Sequence, residues 1–128
     1  VVVALGSNDM LRGIDPDTTR DNLDGILKIA QSHNLRIMVV GVLAPLNYGP
    51  EYKNTFDAVF PDLAQKYSAL YVESFFTPFL SENSDISAMK DKMQSDGMHP
   101  NELGVAQIVN YIGPKVAQLI AEIPARDK

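Results

Sequence analysis

The stretch Val1–Asp9, VVVALGSND, decides the fold of this chain. Its apolar, mostly β-branched start, Val1–Leu5, is typical of a strand that is covered on both faces, as in parallel sheets. The segment Gly6–Gly13 follows directly and predicts a loop at the carboxyl end of that strand. Because ligands of open α/β sheets bind at the carboxyl ends of the strands, this loop is a candidate place for a functional site.

Two further apolar runs predict strands, and the segments between them have helical spacing. The second predicted strand is Arg36–Leu43, and the third lies around Leu70–Glu73. Helices are predicted over the segments 15–34, 52–63 and 101–121, with an interruption of the last one at Gly113-Pro114. This alternation of strands and helices indicates an α/β fold, with a parallel sheet that carries helices on both faces.

The composition of the chain excludes several classes of function. The 128 residues contain no cysteine, so thiolate catalysis, disulfides and cysteine-bound zinc are excluded. The formal net charge of −5 argues against nucleic acid or an anionic membrane surface as a partner. No stretch reaches the roughly 18 apolar residues of a membrane helix, so no integral membrane segment is predicted. The acidic residues between Asp9 and Asp24 lack EF-hand spacing, so no metal site is predicted either.

The predicted sheet leaves one side of its first strand without a neighbour. A bare apolar strand edge is a template for aggregation. We therefore expect an N-terminal βαβ portion, on the order of 60 residues, to pair with Val1–Leu5. On this interpretation, residues 1–128 are the C-terminal portion of a single domain.

A second polar loop, Asp96–Pro100, precedes the last predicted helix. Asp96 stands three residues before His99 across a glycine, which lets the carboxylate hold one imidazole nitrogen and leaves the other free as a base. The same residues are typical of a simple turn, with Asp96 as the turn former and Asn101 as the cap of the next helix. On this short pattern alone, the turn is the favoured interpretation.

In the first loop, Asn8 is a candidate oxyanion-hole donor, because its side-chain NH2 can be directed into a site at the strand end. Taken alone, Gly6–Asp9 is more typical of an ordinary loop. Together, however, GSND at 6–9 and DGMHP at 96–100 resemble the third and fifth sequence blocks of the SGNH (GDSL) hydrolases. The pattern N-Y-G-x-x-Y-x-x-x-F, from Asn47 to Phe56, is similar to the bacterial branch that contains the thioesterase/lysophospholipase and the arylesterases.

This resemblance implies a flavodoxin-like three-layer α/β/α sandwich and ester hydrolysis by a serine nucleophile, without a metal or an organic cofactor. It assigns the base to His99, the carboxylate that orients this base to Asp96, and an oxyanion-hole donor to Asn8. The Gly-Asp-Ser block that carries the family's nucleophile has no counterpart here, so we expect the nucleophile on the N-terminal companion segment. Ser7 is a poor substitute, because in an extended segment its side chain points away from that of Asn8.

The resemblance also implies a small acyl or aryl ester or thioester as the substrate. Apolar residues that flank the two polar loops are candidates for its pocket, with ordinary loop packing as the alternative: Met10, Leu11, Ile14, Pro45 and Met98. Two other functions stay open, namely a non-catalytic binding module of the same fold and a carbohydrate acetylesterase. The sequence does not fix the compartment, although the resemblance favours a periplasmic or secreted protein over a cytoplasmic one.

Overall fold

A parallel sheet of three strands lies at the centre of the structure, a computed structural model that describes residues 1–80 and 89–123. The strands follow the order β1-β2-β3 across the sheet and comprise β1 (Val2–Val3), β2 (Met38–Val40) and β3 (Leu70–Val72). The described helices are α1 (Ser7–Leu11), α2 (Pro16–Ser32), α3 (Pro50–Lys66) and α4 (Glu102–Ala121). Short 3-10 turns occupy Leu46–Tyr48 and Thr77–Phe79. The predicted parallel sheet with connecting helices is therefore confirmed.

Each face of β2 packs against a separate apolar layer. Val39 packs with Val3 in the layer that α2 and α3 cover. Met38 and Val40 belong to the opposite layer, which α4 covers with Leu119. Because successive side chains of a strand point to opposite faces, a strand that is buried on both sides needs an unbroken apolar run. The expected three-layer α/β/α arrangement is confirmed.

Helix α2 begins and ends where its local chemistry predicts. The Asp15 carboxylate accepts the backbone N–H of Asp17 at 2.9 Å, and Pro16 occupies the first turn. Asn34 follows the helix with a φ of 56°, the left-handed conformation that ends many helices. Two apolar side chains on this helix, Ile26 and Ile29, lie outside the core and are exposed.

The first strand was predicted to be covered on both faces, and the structure differs from this prediction. Only Val2–Val3 is paired, β1 forms one edge of the described sheet, and Val3 alone of the first five residues is buried. Val2 pairs in register with Met38 and so faces the α4 side, yet it is 45% exposed. Within the described residues, α4 packs mainly over β3 and so leaves Val2 on β1 largely uncovered.

Two helical segments also differ from their predictions. The segment 6–13 is not simply a loop, because it contains α1; Gly6, with a φ of 116°, turns the chain sharply from β1 into this helix. Helix α4 runs through Gly113-Pro114 without a break. The carbonyl that Pro114 leaves without a donor belongs to Asn110, which is an exposed residue.

The end of β2 passes close to the end of β3, and this close approach requires a glycine. The N–H of Gly41 donates to the carbonyl of Val72 at 2.8 Å, and a methyl group on Gly41 would collide with the carbonyl oxygen of Glu73. We expect Gly41→Ala to lower the free energy of unfolding by about 1–3 kcal/mol, because the two chain segments must move apart. Urea denaturation measures this change.

The matched control is Gly25→Ala on the exposed side of α2, where nothing lies within 4 Å of the added methyl group. This substitution should raise the free energy of unfolding by about 0.5–1 kcal/mol, because alanine loses less backbone entropy in a helix. Equal effects of the two substitutions would contradict the close approach at Gly41.

Candidate active site

A cavity of about 600 Å³ opens at the carboxyl ends of the strands. Each strand leads into it: Ala4 follows β1, the segment 41–43 follows β2, and the segment 74–76 follows β3. The segment that precedes α4 completes the wall with Met93 and His99. This is the edge at which open α/β sheets bind their ligands.

Most of the predicted site residues line this cavity: Asn8, Met10, Leu11, Met98 and His99. Ile14 and Pro45 are not among the lining residues. Ile14 lies beyond α1, and Pro45 is an exposed residue that caps the 3-10 turn at Leu46–Tyr48. Asp96 stands behind His99 and is not part of the wall.

The carboxylate of Asp96 binds the imidazole ring and the backbone beside it. Its Oδ2 lies 2.6 Å from Nδ1 of His99, and its Oδ1 accepts the backbone N–H groups of Met98 and His99 at 2.9 and 3.0 Å. Gly97, with a φ of 68°, lets the chain bend back over these short distances. The hydrogen bond from the His99 ring, and then the two backbone hydrogen bonds, hold the pKa of Asp96 well below its ordinary range.

This geometry fixes which nitrogen of His99 can act as a base. An ionised carboxylate only accepts hydrogen bonds, so Nδ1 of the neutral ring carries the proton. The lone pair is then on Nε2, the nitrogen that Asp96 does not engage. Nε2 is therefore the nitrogen of His99 that can accept a proton.

The segment around His99 is a turn and a helix start at the same time, so both sequence interpretations describe its local structure. The Asn101 side chain accepts the N–H of Gly104 at 3.0 Å and caps α4. It also donates to the carbonyls of Asp91 and Met93 at 2.8 and 3.2 Å. These bonds tie the turn to the preceding segment and hold the His99 backbone in place.

Asn8 lies in the first turn of α1, and contacts from the core hold this short helix. The Asp9 carboxylate accepts the hydroxyl of the buried Thr19 at 3.1 Å. Gly6 lies against Phe60, where an added Cβ would be 3.1 Å from the ring. Within the described residues, the Asn8 side chain makes no hydrogen bond, and it lines the cavity. Its NH2 group is available to a ligand.

Ser7 lines the same cavity, and the reason for discounting it from the sequence is wrong. Ser7 and Asn8 are consecutive residues of a helix and not of an extended segment. In the described parts of the chain, however, no serine hydroxyl makes a hydrogen bond to the His99 ring. Ser74 is buried, and its hydroxyl oxygen accepts the N–H of Phe76 at 3.1 Å. Three other serines lie outside the described residues: Ser81, Ser84 and Ser87.

The cavity wall after β2 is held by a pair that the sequence analysis missed. Oδ1 of Asp57 accepts the N–H of Ala44 at 2.7 Å, and Nζ of Lys53 donates to the carbonyl of Ala44 at 2.7 Å. Lys53 and Asp57 also pair with each other at 2.6 Å. Their i, i+4 spacing on α3 was a visible signal for the ion pair. The spacing does not predict that the pair binds the N–H and the carbonyl of Ala44. Ala44 follows the lining residues Val42 and Leu43.

The rest of the lining is largely apolar. The larger hydrophobic residues outside the predicted set are Val40, Val42, Leu43, Phe75, Phe76, Met89 and Met93. Within the described residues, no group of three or more His, Asp or Glu side chains is placed to hold a metal ion. None of the described helices has the length and apolar character to cross a membrane.

The chain is similar to known ester hydrolases over most of its length. Residues 1–107 match the GDSL-like Lipase/Acylhydrolase family. The "Thioesterase 1/protease 1/lysophospholipase L1" of Escherichia coli (strain K12) is 31% identical over 120 residues, which cover 94% of this chain and 54% of that protein. The "Arylesterase" of Vibrio mimicus is 25% identical over 118 residues, which cover 92% of this chain and 56% of that protein.

A solved structure extends this likeness to the fold. The psychrotrophic esterase EstA from Pseudoalteromonas sp., inhibited by monoethylphosphonate, has a TM-score of 0.80 at 27% identity, over 95% of this chain and 63% of that one. The chain spans about half the length of the curated relatives that it matches. It belongs to the GDSL-like lipase/acylhydrolase family, the SGNH hydrolases, in the branch that contains the thioesterase/lysophospholipase and the arylesterases.

Proposed function

We propose that this chain supplies the histidine, the aspartate and one oxyanion donor of a serine hydrolase that cleaves a small acyl or aryl ester or thioester. The observation that carries the proposal is one cavity whose wall holds His99, backed by Asp96, and Asn8, whose amide makes no hydrogen bond within the described residues. Membership of the family supports the same reaction class.

In the proposed reaction, a serine hydroxyl attacks the carbonyl carbon of the ester, and Nε2 of His99 accepts the hydroxyl proton. Asp96 stabilises the resulting imidazolium ion through Nδ1. The NH2 group of Asn8 donates to the carbonyl oxygen as negative charge develops on it. His99 then gives its proton to the leaving alcohol or thiol, and a water molecule activated by the same ring releases the acid.

The electrostatics at Asp96 support this role. A group that stabilises a neighbouring cation must itself be ionised, and the lowered pKa of Asp96 keeps it ionised at more acidic pH than an ordinary aspartate. The second carboxylate oxygen binds two backbone N–H groups, so the side chain cannot turn away from the ring without losing both bonds. The carboxylate thus orients His99 as well as stabilising its charge.

The apolar lining supports an acyl or aryl group as the part of the substrate that enters the cavity. Met10, Leu11 and Met98 lie beside the proposed catalytic groups, and Phe75 and Phe76 line the wall after β3. Such a lining favours burial of a hydrocarbon group. A carbohydrate would need more polar partners for its hydroxyl groups, so the lining favours acyl or aryl esters over carbohydrate acetates.

We infer that the nucleophilic serine comes from a companion segment that pairs with β1, and that this chain is the C-terminal portion of the domain. Val2 is 45% exposed on β1, which forms one edge of the described sheet. A strand paired with this edge would cover Val2 and bring a further loop to the cavity.

The reaction is tested by joining the nucleophile-bearing N-terminal part of the E. coli relative to Val1 and measuring the hydrolysis of p-nitrophenyl esters. We expect the 128-residue chain alone to be inactive and the joined protein to be active. Asn8→Ala should lower kcat about 100- to 1000-fold, because one oxyanion donor is lost. His99→Gln should abolish turnover, because no base remains.

The matched control is His33→Gln, which changes the only other histidine of the chain, at the end of α2. This variant should keep the activity of the joined protein. Turnover that survives His99→Gln would contradict the proposed base. A joined protein that folds and binds an ester without hydrolysing it would favour the non-catalytic binding module.

The acid–base pair makes a separate prediction about pH. Asp96 should stay ionised well below its ordinary pKa of 3.8, because the His99 ring and two backbone N–H groups stabilise its charge. Since the folded-state pKa lies below the unfolded one, the stabilisation is present above about pH 4 and is lost as the pH falls through the folded value. An NMR titration of the Asp96 carboxyl carbon measures the folded pKa.

In the His99→Gln variant, the same titration should move toward the ordinary value, because the largest cause of the lowered pKa is removed. A wild-type Asp96 that titrates near 3.8 would contradict the hydrogen-bonded pair.

A further inference from the structure

The chain that follows Asn8 is held by two tyrosines from a distant part of the sequence. The hydroxyl of Tyr48 donates to the carbonyl of Leu11 at 3.0 Å, and the hydroxyl of Tyr52 donates to the carbonyl of Ile14 at 2.9 Å. These two carbonyls flank the turn with which the chain leaves α1. The tyrosine pair, Tyr48 and Tyr52, therefore binds the backbone on both sides of this turn.

A close packing contact accompanies the hydrogen bonds. Gly13 lies in the turn with a φ of 62°, and an added Cβ there would be 2.8 Å from Cε1 of Tyr48. A side chain at this position would thus clash with the ring and would also strain the backbone. The turn and the Tyr48 ring are fitted to each other.

The tyrosine pair is one end of a row of aromatic rings at i, i+4 spacing: Tyr48, Tyr52, Phe56 and Phe60. Successive ring centroids in this row are 5.2, 5.6 and 5.6 Å apart. The two phenylalanines are completely buried, so the row is anchored in the core. At its other end, Phe60 packs against Gly6, where α1 begins. Both ends of the segment Gly6–Ile14 therefore contact the same rigid row.

We propose that Tyr48 and Tyr52 are positioning residues for Asn8. They fix the carboxyl end of α1, while Phe60 and Thr19 support its amino end, so that the short helix presents the Asn8 amide to the cavity in one orientation. The inference rests on the proposed function for the role of Asn8, but the hold on the turn is independent of it. It also explains the pattern N-Y-G-x-x-Y from Asn47 to Tyr52, which places the two tyrosines four residues apart.

The ionisation of Tyr52 is consistent with this hold. Burial, and then the neighbouring Tyr48, Asp9 and Asp15, raise the pKa of its hydroxyl. The group therefore stays protonated and keeps donating to the carbonyl of Ile14 in the pH range where a histidine base acts.

The hold on the turn is tested by trypsin, because Arg12 is exposed between the two bound carbonyls. Cleavage after Arg12 requires the turn to open. We expect Tyr48→Phe and Tyr52→Phe in the 128-residue chain each to speed this cleavage about 2- to 10-fold, as loss of one hydrogen bond raises the local opening constant. Cleavage after Arg20, inside α2, is the internal reference.

The matched control is Tyr67→Phe, which removes a hydroxyl that donates to the carbonyl and the carboxylate of Asp24 near the other end of α3. It should leave the ratio of cleavage after Arg12 to cleavage after Arg20 unchanged. An equal cleavage ratio in the wild type and the three Tyr→Phe variants would contradict the proposal that the tyrosine pair restrains the turn. The proposal would also be contradicted if Tyr67→Phe raised the cleavage ratio as much as Tyr48→Phe and Tyr52→Phe do.

The effect on Asn8 is read from its side-chain NH2 signals in 15N NMR spectra, which need no activity. These signals should shift or broaden in Tyr48→Phe and Tyr52→Phe and stay in place in Tyr67→Phe. Unchanged signals in all three variants would overturn the positioning role. Activity of the joined protein gives a second measure. Each Tyr→Phe change should lower kcat about 2- to 10-fold when Asn8 is present, and should have no further effect in a protein that already carries Asn8→Ala.

If the joined protein is inactive with Asn8 in place, the proposed function fails, whereas the proteolysis and the NMR signals still decide the inference about the tyrosine pair.

Discussion

The parallel pairing of the three strands is the constraint on which the candidate site depends. The register aligns Val3 with Val39 and Val39 with Tyr71, so the chain leaves the sheet three times at the same edge. The polar segments that follow these exits therefore meet around one cavity, although about 90 residues separate Asn8 from His99. A slip of β1 by one residue would turn Val3 out of the core and move the whole Asn8 segment with it.

The two sides of the site are held by hydrogen bonds more than by burial. The side chains of His99 and Asp96 are 68% and 40% exposed, yet one carboxylate fixes the ring and the turn together. On the other side, α1 has no buried residue of its own, and Thr19 and the aromatic row hold it. This exposure agrees with a site whose open side a companion segment covers.

Local chemistry made part of this structure predictable. The ends of α2 were predictable from Asp15 and Asn34, because their roles depend only on neighbouring residues. The strands were predictable from their apolar runs, because a strand that is buried on both faces needs apolar residues throughout. Helix α1 was missed, because five residues show no periodicity and its start depends on the positive φ of Gly6. Which apolar residues line the cavity was predictable only in part. The placement of Ile14 depends on a bond to Tyr52, 38 residues away, which no local pattern reveals. The hold of Lys53 and Asp57 on Ala44 was hidden for the same reason.

The central claim is that His99, Asp96 and Asn8 serve a serine that the 128 residues do not supply. A fluorophosphonate tests it most directly, since an activated serine displaces its fluoride and keeps the phosphonyl group as a measurable mass. We expect no adduct on the 128-residue chain, and on the joined protein a single adduct within the supplied segment that disappears in His99→Gln. An adduct on Ser7 or Ser74 of the 128-residue chain would contradict the account, because the nucleophile would then lie in this chain.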